Sequence, residues 1–161
     1  MDDFRATGII AKSLPEIVKA LENKEISSES LVKLYLSRID QIDRNGPTLQ
    51  SVLALNPNAL EEAILRDQQR AQGDIKGALH GVPVLLKDNI ESKDNIPTTA
   101  GALALKDNIT GRDSPLVAGL RAQGAIILGK TNLSQWANFR SEGSMSGWSA
   151  LGGQVRNPHM L

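Results

Sequence analysis

Leu79-His80-Gly81-Val82-Pro83-Val84-Leu85-Leu86-Lys87-Asp88-Asn89-Ile90 is an apolar run that ends abruptly on a lysine. A short apolar run between turn residues reads as a buried strand. A second such run lies at Ala125 to Leu128, and between the two Asp113-Ser114-Pro115 opens a helix that stops at Gly124. Serine at the cap, proline in the first turn and glycine at the end are the ordinary punctuation of a helix. A helix between two apolar strands is the alternation of an α/β fold, and that is the fold class expected here.

Upstream of this unit the pattern is helical. Ser13-Leu14-Pro15-Glu16 has the form of a capping box and opens a short helix to about Leu21. Ser27 or Ser28 caps a second helix, whose apolar residues Leu31, Leu34, Tyr35, Ile39 and Ile42 keep the spacing of one buried face until Asn45-Gly46-Pro47 ends it. A short strand at about Ser51 to Leu55 leads to Asn56-Pro57, read as the cap and first turn of a third helix carrying Leu60, Ile64 and Ala71 and stopped at Gly73. Residues 1–161 are read as a single, incomplete domain. Residues 1–75 form a mainly helical portion, 76–142 an α/β portion, and 143–161 a glycine-rich loop and end. The recurrence of Leu86-Lys87-Asp88-Asn89-Ile90 as Leu105-Lys106-Asp107-Asn108-Ile109 lacks the apolar lead-in and is taken as coincidence.

Composition narrows the function classes. Lys plus Arg equals Asp plus Glu at 18 each, so no basic footprint points to nucleic acid or an anionic membrane. No cysteine is present, which removes disulfide and thiol chemistry. The start Met1-Asp2-Asp3-Phe4-Arg5 is acidic without an apolar h-region, and no run approaches the ~18 apolar residues of a membrane span. The expectation is a cytoplasmic protein with neither nucleic acid nor membrane as partner.

Lys87 is the candidate catalytic residue. A lysine amine has an ordinary pKa of about 10.4, so it serves as a base near neutrality only where desolvation lowers that value. Val82, Val84, Leu85 and Leu86 offer such a dry wall, and a neutral amine can take the proton of a serine hydroxyl. Asp88 would hold the proton on if it faced Lys87, but successive strand residues point to opposite faces. The simpler reading of the residues alone is a lysine marking the solvent end of a strand, because charged residues rarely lie buried without partners.

Several blocks in order carry a resemblance that shifts this balance: Leu53-Ala54-Leu55-Asn56-Pro57-Asn58-Ala59-Leu60, Gly81 to Asn89, Thr98-Thr99-Ala100-Gly101, and Gly124-Ala125-Ile126-Ile127-Leu128-Gly129-Lys130-Thr131-Asn132-Leu133-Ser134. From about Leu14 onward the chain resembles the amidase signature family. Ser134-Gln135-Trp136-Ala137-Asn138-Phe139-Arg140-Ser141 and Gly147-Trp148-Ser149-Ala150 look most like its peptide amidase and plant-type amidase branch. The resemblance implies the N-terminal part of that family's fold, a mixed sheet flanked by helices. It also implies cofactor-free hydrolysis of carboxamide C–N bonds by a Ser-cisSer-Lys mechanism, with Lys87 as the base and an amide or peptide amide as substrate.

The family's cis-serine lies in a Gly-Ser-Ser-rich motif and its nucleophile in a later Gly-Ser motif, both after a segment like Arg156-Asn157-Pro158-His159; this sequence runs to Leu161. Ser141, Ser144, Ser146 and Ser149 lack that context and read as turn residues. Of nucleophile, base and oxyanion donors, only the base is present, so the chain alone is expected to be inactive. A complementary C-terminal chain is the implied partner, and a non-catalytic remnant or interaction module is the alternative.

Gly124-Ala125-Ile126-Ile127-Leu128-Gly129-Lys130-Thr131 also satisfies the phosphate-loop pattern. A phosphate loop has its strand before the first glycine, whereas here that place is held by the Pro115 helix and the intervening residues are strand-like. Nucleotide binding is therefore the weakest reading, and Lys130 is placed near the strand exit. His80 and His159 are isolated and without cysteine partners, which leaves no zinc site in view, and His80 reads as a turn or packing residue. Trp136 and Trp148 read as packing anchors or pocket walls. Asp88, Thr98 and Thr99 are candidates to lie close around Lys87.

Overall fold

A computed structural model of the chain describes residues 7–139, 142, 143 and 145–159. The elements run α1 (Leu14–Glu22), α2 (Ser28–Arg38), β1 (Val52–Leu55), α3 (Ala59–Ala71), β2 (Pro83–Lys87), α4 (Pro115–Ala122), β3 (Ile126–Thr131), β4 (Trp148–Ser149) and β5 (Gly153–Gln154). β3 is the middle strand of a three-stranded sheet ordered β1-β3-β2, antiparallel to β1 and parallel to β2, while β4 and β5 form a small hairpin. This is the mixed α/β architecture expected from the alternation of strand, helix and strand.

The helix signals work as read at most positions. The Ser13 N–H donates to the Glu16 carboxylate at 2.8 Å, Ser27 Oγ accepts from the Ser30 N–H at 3.0 Å, and Ser114 caps α4. Two readings need correction. α3 begins at Ala59 rather than at Pro57, because Asn56 Oδ1 accepts the Asn58 N–H and holds the chain in a turn. Its buried face is Ala59 and Ala63, which cluster with Val32, Ile39, Ile126 and Leu128, with Leu60 packed partly buried against them and Ile64 and Ala71 exposed. The end of α2 also departs from a plain helix: Ile39–Arg44 is a π-helical turn, whose Asp43 is buried and accepts the N–H groups of Ser51 and Val52 at 2.7 and 3.1 Å. That carboxylate fixes the start of β1.

Helices cover both faces of β3. Ile126 and Leu128 pack with Val32, Ile39, Ala59 and Ala63 of α2, its π turn and α3, whereas Ile127 packs with Leu86 and Val117 on the α4 side. Each of these β3 side chains is almost wholly buried and contributes about 1.5–3 kcal/mol. Arg121 of α4 ties the layers together, with its guanidinium 2.5 Å from Asp94, 2.9 Å from Asp113 and 3.6 Å from Glu62 of α3.

β3 also carries a bulge. Val84 pairs with Ile127 but Leu85 pairs with Gly129, so Leu128 is an extra residue. Gly129 is required there, because a Cβ would stand 2.2 Å from the Ala54 carbonyl oxygen of β1. Gly129→Ala is expected to push β1 off the sheet and cost about 1–3 kcal/mol, measured as a lowered urea midpoint.

His80 closes the opposite end of the sheet. Its ring accepts the Lys76 N–H at Nδ1, 3.2 Å away, and lies 2.9 Å from the Arg66 carbonyl at Nε2, an arrangement that suits the neutral Nε2–H tautomer. Burial, with Arg66 and Arg70 nearby, holds its pKa below the ordinary 6.5. The unfolded chain therefore binds the proton more readily. Stability is expected to be full above about pH 6.5 and to fall as the pH drops from there toward the folded-state value. Thermal midpoints across that window, compared with those of His80→Gln, check the slope, which the variant should lose.

Candidate active site

Lys87 ends β2, at the carboxyl end of the parallel pair, which is where ligands gather in open α/β sheets. It is exposed, and so is Leu85 two residues before it on the same face. The dry wall expected around Lys87 is thus not formed by these residues: Val82 and Leu86 are buried in clusters behind the strand, and β2 is the outer strand of the sheet. A cavity of about 160 Å³ opens on the Leu85 side, lined by Tyr35, Ile39, Val52 and Leu128 among others.

Asp88, the residue after β2, is buried whereas Lys87 is exposed. Its N–H donates to the Thr131 carbonyl at 3.2 Å and its carbonyl accepts the N–H groups of Thr99 and Ala100 at 3.1 and 2.9 Å. Its carboxylate accepts the Thr99 hydroxyl, and the Thr99 N–H at 3.2 Å. Burial pushes this carboxyl above its ordinary value, opposed by the Thr99 hydroxyl and the Lys130 charge. The Thr98-Thr99-Ala100-Gly101 loop is therefore folded onto Asp88. Ala100 has a positive φ of 49°, and a Cβ on Gly101 would meet Ser149 Cβ at 2.6 Å, so the β4–β5 hairpin backs the loop closely.

Lys130 is the residue that sequence reasoning misplaced. It is fully buried, not at a strand exit, since β3 continues through Thr131. Its Nζ donates to the Ile90 carbonyl at 2.7 Å and to Thr98 Oγ1 at 2.6 Å. Burial lowers its pKa, opposed by Asp88, Asp94 and Glu91. The phosphate-loop reading of Gly124–Thr131 fails on the same facts, because Ile126–Thr131 is a ladder strand and the lysine is spent on protein oxygens. The available signal was a glycine-lysine pair inside an apolar strand, where a bulge can turn the lysine to an unforeseen side.

The other candidates are distributed as follows. Ser149, the last residue of β4, donates its Oγ–H to Asn132 Oδ1 at 2.7 Å and accepts the Gly152 N–H at 2.9 Å, so its hydroxyl holds the hairpin turn. Ser146 is exposed, while Ser141 and Ser144 lie outside the described residues. Trp136 and Trp148 are each 42% exposed, so neither is buried in a core. Thr98 and Thr99 gather around Lys130 and Asp88 rather than Lys87. No helix among the described residues is long and apolar enough to cross a membrane.

A family model described as Amidase matches residues 30–161, most of the chain and all of this site. The protein belongs to the amidase family. It is 44% identical over 154 residues to a probable amidase of Arabidopsis thaliana, covering 92% of this chain and 29% of that protein. It is 40% identical over 149 residues to a putative amidase of Schizosaccharomyces pombe, covering 92% of this chain and 25% of that one. The structure superposes on the peptide amidase from Stenotrophomonas maltophilia with a TM-score of 0.89 at 48% identity, covering 92% of this chain and 30% of that one. The chain thus spans between a quarter and a third of the length of these relatives, and the fold is that of their matching portion.

Thr99→Val in this amidase-family chain is expected to leave the buried Asp88 carboxyl without its hydroxyl donor and to cost about 1–3 kcal/mol in urea unfolding. Thr99→Ser, which keeps the donor, should recover most of the loss.

Proposed function

We propose that Lys87 is the general base of an amide-hydrolysing site whose serines come from chain beyond these residues, in the same polypeptide or in a separate C-terminal partner. The observation that carries this reading is the position of Lys87, exposed at the carboxyl end of β2 and beside an open strand edge, inside the stretch matched by the amidase family. As the free amine, Lys87 accepts the proton of a relay serine, which in turn accepts that of the nucleophilic serine. The nucleophile's oxygen bonds to the amide carbon, and the tetrahedral intermediate collapses as the C–N bond breaks. The proton returns through the same relay to the departing nitrogen, and water repeats the sequence on the acyl-enzyme. No cofactor enters these steps.

The substrate is a carboxamide, and the 48% identity to a peptide amidase favours a peptide amide. The partner covers the free edge of β2 and the exposed side of Leu85, which removes water from around Lys87. Desolvation of the amine is then a product of assembly rather than of these residues alone.

The test is hydrolysis of a simple aryl amide and a peptide amide, first by the chain alone and then after mixing with the separately produced C-terminal part of the Stenotrophomonas maltophilia peptide amidase. No turnover is expected from the chain alone, and turnover is expected from the mixture. Lys87→Ala should lower the mixture's rate by at least about 100-fold. Turnover by the isolated chain, or a mixture indifferent to Lys87→Ala, would overturn the proposal.

A further inference from the structure

A lysine without solvent exposure needs a reason, because burying an ammonium costs several kcal/mol unless its donors are met. Lys130 meets them in a particular way. Ile90 and Thr98, whose oxygens it binds at 2.7 and 2.6 Å, stand near the two ends of the 88–99 segment, so one ammonium closes that segment into a loop. The near end is coupled directly to Lys87, since the Ile90 N–H donates to the Lys87 carbonyl at 2.9 Å. The far end is coupled to Asp88 through the Thr99 and Ala100 N–H groups. Asn108 holds Thr98 from outside, through N–H to carbonyl bonds in both directions at 2.9 Å. Ser149 blocks the loop from behind at Gly101.

Core packing does not account for this residue. Lys130 is registered opposite Leu86, and a methionine of similar length would fill the same space without the desolvation cost. What the ammonium adds is a pair of directional bonds to the segment that begins one residue after Lys87.

We propose that Lys130 is a positioning residue for Lys87, fixing the end of β2 and the direction of the Lys87 side chain by gripping Ile90 and Thr98. This rests on the reading of Lys87 as the base, but it is tested separately on the chain itself.

Reductive methylation with ¹³C-formaldehyde labels exposed lysines, and Lys87→Arg assigns the Lys87 signal. The rate at which unlabelled Lys87 is acetylated by an activated ester is followed by peptide mass spectrometry. In Lys130→Met the Lys87 methyl signal is expected to move and its acetylation rate to change by at least about twofold. Lys130→Arg, which retains a charged multiple donor, should return both toward the starting values. Thr98→Val, which removes one of the two acceptors, should shift both in the direction of Lys130→Met and by less. It decides the matter if Lys130→Met does not fold.

A folded Lys130→Met or Thr98→Val chain with unchanged Lys87 signal and rate would overturn the proposal. So would a Lys130→Met chain that stays closer to the starting values than Lys130→Arg, because that pattern belongs to packing. Either result leaves the Lys87→Ala arm of the mixing experiment standing, so failure of the positioning role and failure of the base are told apart.

Discussion

The extra residue in β3 sets the geometry of everything around it. Up to Leu128 the strand alternates in the ordinary way, with Ile126 and Leu128 toward α2 and α3 and Ile127 toward α4. Continued without interruption, that alternation would send Lys130 toward the apolar cluster of Val32, Ile39 and Ala63. The bulge at Leu128 reverses the sense, so Lys130 is registered with Leu86 and meets Ile90 and Thr98 instead. Gly129 makes the reversal possible, because β1 passes too close to admit a side chain. One small residue thereby holds β1 in the sheet and aims a buried charge at the loop under β2.

Much of the fold was legible in the sequence because it depends on local signals. Serine caps, prolines in first turns and terminal glycines placed α1, α2 and α4, and the two apolar runs placed β2 and β3. The errors share a cause. The buried face of α3 depends on which side meets α2 and β3, and that side carries Ala59 and Ala63, with Leu60 only partly buried and Ile64 exposed. The π turn at Ile39–Arg44, the bulge and the β4–β5 hairpin answer to contacts made across the fold, and no local periodicity announces them.

The site shows the same division. Lys87 was singled out through blocks of sequence that resemble the amidase signature family, and it stands exposed at the end of β2. The expectation of a dry wall came from counting apolar neighbours along the strand, but neighbours in sequence alternate between faces. Val82 and Leu86 therefore face inward while Leu85 and Lys87 face outward. Lys130 shows the converse. Its neighbours suggested an exposed exit, and its actual setting is the driest of any lysine in the chain, because acceptors 40 and 32 residues away converge on it. A charge is buried where tertiary oxygens gather, and one sequence alone does not display that.

The exposed end of β2 has a consequence for how the chain behaves in company. An outer strand offers unpaired N–H and C=O groups to any similar strand, and with 18 basic and 18 acidic residues the molecule has no net charge to hold copies apart. The feature on that rim that opposes sheet-to-sheet stacking is the ammonium of Lys87, which a second copy would have to bring against its own. The side chain that ends β2 is thus also the charge that keeps its open edge from pairing with another copy.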